Sequence, residues 1–356
     1  MQSLKGILNP FFSMHTILWL NLIFGYYFKF TNSLFVNILV KLYCVSCCGA
    51  IIAYTILIDD PTFDTSFSGT LYDAALVTEI LANVLLTIIN EERILRKFSS
   101  DLTLEFPSIK QNYTVVYLTI VVLCLLKCCS IFMVDIEKFT SIDLFMNIFT
   151  FCAFCCGRST FICVADCYLN IVHVLCKSLK EQLEKNNLKD TEKVDCVKHF
   201  LSSYVKLSNN TFSTITVIRL KTITAFVNEF IKSIFIVYYF NSCTRVNLTF
   251  IAPWIFEIFL SLFSLFIPLI VMEVAALYID DVKKQLSIQL LTYEDSNLRD
   301  ALHDAFDYID SSYSRYTLWN NGPLNLTLLA MVVALGYSKY QRHCKKCADG
   351  PLTLTN

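Results

Sequence analysis

Apolar runs of about twenty residues follow one another along almost the whole of this sequence, and that repetition excludes most folds. A hydrocarbon layer about 30 Å thick is crossed by about 20 helical residues, whose backbone polar groups must be satisfied within the segment. That ruler predicts seven spans, roughly Ser33–Leu57, Leu71–Asn90, Val115–Val134, Leu144–Cys167, Ile223–Phe240, Phe250–Leu277 and Leu324–Tyr340. The fourth and sixth are long enough to project beyond the membrane. A further run, Phe11–Phe28, carries His15, Asn21 and Gly25 and is expected to be a membrane-lying or partly re-entrant lead-in. Lys5 precedes it, but it has no small-residue cleavage pattern and is long for a signal sequence. With 55% hydrophobic and 17% charged residues, and no linker or repeat, the 356 residues read as one all-α bundle in a lipid bilayer. A net charge of −1 gives no electrostatic case for nucleic acid.

Lysines and arginines beside the membrane set the expected orientation, because short cytosolic loops are enriched in them. If the N-terminus is cytosolic, the first inner loop holds Arg93, Arg96, Lys97 and Lys110, and the second runs from Lys177 to Lys221 with seven further basic residues between. The facing outer loops carry Asp59, Asp60 and Asp64 with no basic residue, then only Lys138, then only Arg245. The tail is the exception, with Lys339, Arg342, Lys345 and Lys346 on the expected extracellular side. The predicted organisation is a cytosolic or membrane-lying segment 1–32 and six spans within 33–278, interrupted by an inner loop 177–221. An amphipathic anchor region 279–323 follows, then the seventh span 324–340 and a polar basic tail 341–356.

Two inner stretches have helical periodicity. Leu298, Leu302, Phe306 and Ile309 recur at spacings of four and three, with Asp300, Asp304 and Asp307 between them. Leu179 and Leu183, then Val197, Phe200, Leu201 and Tyr204, repeat the pattern on either side of a polar stretch, Glu184–Asp195. Such helices either lie on the membrane surface or pack into a cytosolic layer built from extensions of the spans.

Ionisable side chains within the apolar runs are costly, about 2.5–3.5 kcal/mol each on insertion scales, and face the bundle interior or water. Lys127, Arg158, Asp166, Glu229, Lys232 and Glu257 are such residues. Arg158 and Asp166, toward the inner end, are expected to pair or snorkel. Glu257 lies about two turns below the outer end of the sixth span. Aromatic residues at outer helix ends form either an interfacial belt or the wall of a small-molecule pocket. The expected pocket is Tyr238, Tyr239, Trp254 and Glu257 at the junction of the fifth and sixth spans, with Asp135 facing them and Phe149 on the fourth.

Most of the sixteen cysteines sit in apolar runs, where cysteine acts as a small hydrophobe. Cys344 and Cys347 form a C-x-x-C pair with no second pair to complete a zinc site. No metal or cofactor is expected. The five histidines are scattered and no nucleophile elbow, phosphate loop or dinucleotide fingerprint is present, so no enzymatic activity is expected.

Several patterns resemble the insect gustatory receptor family, relatives of the insect odorant receptors. In Phe200–Phe240, FLSSYVKLSNNTFSTITVIRLKTITAFVNEFIKSIFIVYYF, Asn209 and Phe212 occupy the positions of the family motif that leads into an aromatic-ended fifth helix. The run from Glu273 through Leu302 to Gly322 is similar in its acidic-and-leucine helix and in the glycine before the last span. The last span departs: NLTLLAMVVALGYSKYQRHCKK retains only Tyr337 and Gln341 of a Thr-Tyr to Gln-Phe ending.

The resemblance implies a multi-pass plasma-membrane chemoreceptor, a ligand-gated cation channel that binds a small-molecule tastant and assembles as a homo- or heterotetramer with related subunits. It further implies a pore lined by the last span, to which Leu328, Val332, Leu335 and Gln341 would contribute. Lys339 and Arg342 would then put a positive ring at the outer mouth, which disfavours cation passage, so the chain alone is expected to conduct weakly or not at all. A non-conducting partner subunit or scaffold is the alternative; a G-protein-coupled receptor lacks its D-R-Y and N-P-x-x-Y signatures here. Of four N-x-S/T sequons, at Asn112, Asn209, Asn247 and Asn325, only Asn247 falls in a predicted outer loop and is the expected glycan site.

Overall fold

The computed structural model describes residues 14–29, 31–57, 67–90, 113–132, 141–185, 189–242, 248–293, 295–311, 317–319 and 322–323. Its helices are α1 (Met14–Ile23), α2 (Leu34–Leu57), α3 (Phe67–Asn90), α4 (Thr114–Phe132), α5 (Ser141–Leu183), α6 (Asp190–Ser242), α7 (Leu248–Thr292) and α8 (Ser296–Ser311). Residues 1–311 form one compact unit and 312–356 another; in the second, strands β1 (Thr317–Trp319) and β2 (Gly322–Pro323) pair antiparallel.

The first unit is organised around α5, which packs against α7 most extensively and also against α1, α2, α3, α4 and α6. Every residue from Ala153 to Tyr168 is buried. Small side chains make that possible: Ala153, Cys155, Cys156, Gly157, Ser159, Cys163 and Ala165 let neighbouring backbones approach closely, as in membrane helix packing. Gly157 shows the tolerance, since a Cβ there would stand 2.7 Å from Tyr26 Oη and 3.1 Å from Asn83 Nδ2.

The outside of the unit is apolar. Leu39, Leu42 and Val45 on α2, Leu85 and Ile89 on α3, Leu118 and Leu125 on α4, and Phe259 and Phe263 on α7 are all exposed, whereas Glu79, Arg158, Glu229 and Lys232 are buried. A water-bounded chain avoids both features at once. Stretches Leu34–Thr55, Leu144–Leu183 and Phe259–Thr292 are long and apolar enough to cross a membrane, and Ala74–Asn90 and Val116–Cys129 are shorter apolar helices, among the described residues. The protein is a helical membrane protein.

The lead-in run forms α1 and then a buried extended turn. Gly25, at φ +86°, closes the helix with Gly25 N donating to Leu22 O (2.9 Å) and Tyr26 N to Asn21 O (2.9 Å), a left-handed terminus that glycine adopts without strain. Tyr43 Oη on α2 donates to the terminal Ile23 carbonyl at 2.8 Å. A Cβ on Gly25 would lie 2.9 Å from Cys47 Cβ, so the glycine also admits α2. On the other side, Ser159 Oγ donates to Asn21 Oδ1 at 3.1 Å and ties α1 to α5.

At the opposite end α5, α6 and α7 continue past the apolar runs, and α8 packs against α6 and α7. The break between α5 and α6 is shorter than the polar stretch Glu184–Asp195 suggested, because Asp190 and Glu192 stand in the first turn of α6, where carboxylates complement the helix dipole. The helix of the sixth run, expected to project beyond the membrane, continues past Leu277 to Thr292, since Ile279, Val282 and Leu286 continue a buried stripe. Asp295 Oδ1 then accepts from Leu298 N at 2.9 Å and caps α8. Leu298, Ala301, Leu302, Ala305 and Ile309 are buried, and α8 contacts both α6 and α7. These helices form a packed layer rather than separate surface helices. Tyr204 is enclosed in it, edge-on to Tyr308 at 6.2 Å, and burial pushes its phenol well above the usual range and keeps it neutral.

Candidate functional site

Four helices aim polar side chains at one point in the apolar bundle: α3 supplies Glu79, α5 Arg158, α6 Asn228, Glu229 and Lys232, and α7 Ser261 and Ser264. Helical spacing explains the selection. On α6, Ala225, Asn228, Glu229 and Lys232 recur at three and four and are buried, while Val227, Phe230 and Ile234 face outward.

Arg158 is the hub. Its Nε donates to Glu79 Oε1 at 2.8 Å and one terminal nitrogen to Glu79 Oε2 at 2.9 Å, a two-pronged pairing that matches guanidinium to carboxylate. The same nitrogen reaches Glu229 Oε1 at 2.9 Å. The other faces Ser261 O at 2.7 Å, Ser261 Oγ at 3.0 Å and Ser264 Oγ at 2.9 Å. All five N–H donors of the guanidinium therefore have acceptors, and its carbon lies 3.7 Å from the centre of the Phe154 ring.

The carboxylates are shared further. Asn228 Nδ2 donates to Glu79 Oε2, Ser261 Oγ donates to Glu229 Oε1, and Lys232 Nζ stands 3.6 Å from the same oxygen and 4.7 Å from the Phe154 ring centre. Two carboxylates meet two cations, so formal charge cancels inside an apolar shell where an unpaired ion is costly. Glu229 Oε2 and Asn228 Oδ1 have no hydrogen-bond partner among the described residues. The cluster thus holds acceptor capacity it does not use, while locking α3, α5, α6 and α7 in one register.

Of the ionisable residues singled out from sequence, the structure unites Arg158, Glu229 and Lys232. Lys127 is buried on α4 with Nζ 5.4 Å from the Phe151 ring centre, and Asp166 is buried two turns along α5 from Arg158 with Oδ2 lacking a hydrogen-bond partner among the described residues. Sequence reasoning passed over Glu79, although a lone carboxylate midway along an apolar run is the same signal that marked Glu229. Phe149 is half-buried, 5.3 Å from Phe24 and 5.9 Å from Phe145, against a cluster that includes Tyr26, Cys48, Ile80 and Ala153. Tyr238 and Tyr239 lie near the end of α6, and Trp254 and Glu257 near the start of α7; their side chains fall outside the described residues. So do Asp135, Asn247, Leu328, Val332, Leu335 and Gln341.

No protein-family model matches the chain, and no curated protein matches it in sequence. Solved structures do. The insect olfactory receptor OR5 from Machilis hrabei matches with a TM-score of 0.55 at 11% identity, over 92% of this chain and 96% of that one. The chain has the fold of an insect olfactory receptor. The same receptor in complex with eugenol matches with a TM-score of 0.50 at 12% identity, over 91% and 95% of the two chains. At this identity the likeness concerns the fold.

Proposed function

We propose that the chain is a gustatory receptor of the plasma membrane, a subunit of a ligand-gated cation channel that detects small-molecule tastants. The observation that carries this reading is the similarity to an insect olfactory receptor over more than nine-tenths of both chains, one match being a complex with a small aromatic molecule, eugenol. The proposed topology is seven spans with a cytosolic N-terminus and an extracellular C-terminus, and the proposed assembly is a homo- or heterotetramer with related subunits. The proposed ligand pocket is Asp135, Phe149, Tyr238, Tyr239, Trp254 and Glu257, and the proposed pore lining is Leu328, Val332, Leu335 and Gln341, with no catalytic role assigned. In this reading the Arg158 cluster is the rigid reference within each subunit against which a ligand displaces the outer helix ends.

A second reading, a non-conducting partner subunit, is favoured by the basic tail, since Lys339 and Arg342 at a pore mouth would repel cations. Whole-cell recording tests both. Cells expressing the chain, with and without a conducting receptor subunit, are exposed to a small-molecule panel. The channel-subunit reading expects at least one compound to evoke current only when this chain is present, and is wrong if no compound does so in either background.

A further inference from the structure

Cys124 on α4 and Cys152 on α5 bring their Sγ atoms to 3.3 Å across a helix interface. Both are free thiols and both are half-buried. Disulfide sulfurs sit about 2.05 Å apart, so bonding requires the pair to close by about 1.3 Å, a displacement within reach of side-chain torsions. The face of α4 beside Cys124 is turned outward, with Val121, Leu125 and Cys129 exposed, so a lipid-dissolved reagent reaches it. Cys155 and Cys156, one turn further along α5, are enclosed. No group of three metal-ligating side chains forms among the described residues, which leaves thiol chemistry as what this pair offers.

We propose that Cys124 and Cys152 are a hydroperoxide-oxidised disulfide site that ties α4 to α5 reversibly. The co-reactant is an organic hydroperoxide of the kind that forms in oxidised lipid. One thiol sulfur attacks the outer peroxide oxygen; the O–O bond breaks, the thiol proton passes to the departing alkoxide oxygen so that the alcohol leaves, and the sulfur becomes a sulfenic acid. The second sulfur attacks the sulfenic sulfur, forming the S–S bond and releasing water. Overall two thiols and one hydroperoxide give one disulfide, one alcohol and one water, the thiols losing the two electrons that the peroxide gains. A thiol reductant restores the pair. Once formed, the bond prevents α4 from sliding on α5, less than two turns from Arg158.

The full chain in phosphatidylcholine vesicles is treated with tert-butyl hydroperoxide, its remaining thiols are blocked with N-ethylmaleimide, and its peptides are mapped by mass spectrometry. Maleimide labelling is expected to fall at Cys124 and Cys152 together, with a linked peptide that dithiothreitol removes and that Cys124→Ser and Cys152→Ser each abolish. The proposal is overturned if both cysteines stay fully labelled while Cys129 is oxidised, or if either bridges to another cysteine instead. The unaltered chain carries the decisive measurement, and because no current is read, the outcome is independent of channel function.

Discussion

Replacing Arg158 with methionine keeps much of the side-chain length and removes the charge that holds four helices together. Among the described residues Glu79 and Glu229 would then share Lys232, whose ammonium stands 3.6 Å from Glu229, and one buried carboxylate would lack a compensating cation. Breaking a buried ion pair from one side costs about 3–5 kcal/mol, and an uncompensated charge at membrane depth costs about 2.5–3.5 kcal/mol, so the two estimates agree on roughly 3 kcal/mol or more. Arg158→Lys preserves the charge but replaces a five-donor fork with three donors, and should cost about 1–3 kcal/mol. The double variant Glu79→Gln with Arg158→Met removes both partners of the main pairing. Its loss should fall short of the summed single losses by about 0.5–3 kcal/mol. A thiol-reactive fluorophore gives the assay, because Cys155, Cys156 and Cys163 are buried and become reactive only on unfolding. Equal unfolding midpoints for parent and Arg158→Met, or fully additive losses in the double variant, would refute the reasoning.

Gly25→Ala meets both a φ of +86° and Cys47 Cβ at 2.9 Å, so it should lower stability by about 1–3 kcal/mol in the same assay. Tyr26→Phe should leave stability unchanged or raise it by about 1 kcal/mol, since it removes a buried hydroxyl that has no hydrogen-bond partner among the described residues; a clear loss would reveal a partner. Leu302→Ala empties a fully buried site on α8 and should cost about 2–5 kcal/mol, seen as faster proteolysis of the layer formed by α6, α7 and α8. Trp254→Ala and Glu257→Ala are expected to shift a ligand dose-response with surface expression intact; parental responses from both, or retention of both inside the cell, would count against the pocket inferred from sequence.

Long-period features of this chain are readable from residues alone because lipid imposes length and helical packing imposes spacing. The α8 stripe, Leu298, Leu302 and Ile309, repeats too regularly to be a loop, and Arg158, Glu229 and Lys232 are conspicuous because charge is rare in their surroundings. Their pairing is another matter. Arg158 lies 79 residues from Glu79 and 71 from Glu229, and which carboxylate it meets depends on how four helices are rotated about their own axes. Ser261, Ser264 and Asn228 carry no advance signal, since neutral polar residues are ordinary in helices until a neighbour needs an acceptor. Hydropathy bounds the part of a helix that lies in lipid and leaves open where the helix itself ends: α7 runs on to Thr292 because its buried stripe continues into a more polar stretch.

Ligand-evoked current from purified protein in a planar bilayer tests the channel proposal most directly, because no G protein or nucleotide is present. The chain is incorporated alone and co-assembled with a conducting subunit of a related receptor, and a compound active in cells is added. The account predicts cation-current steps from the co-assembly with a ligand dependence that the conducting subunit alone lacks, and little or no current from this chain by itself. A co-assembly whose ligand dependence is that of the conducting subunit alone would contradict it.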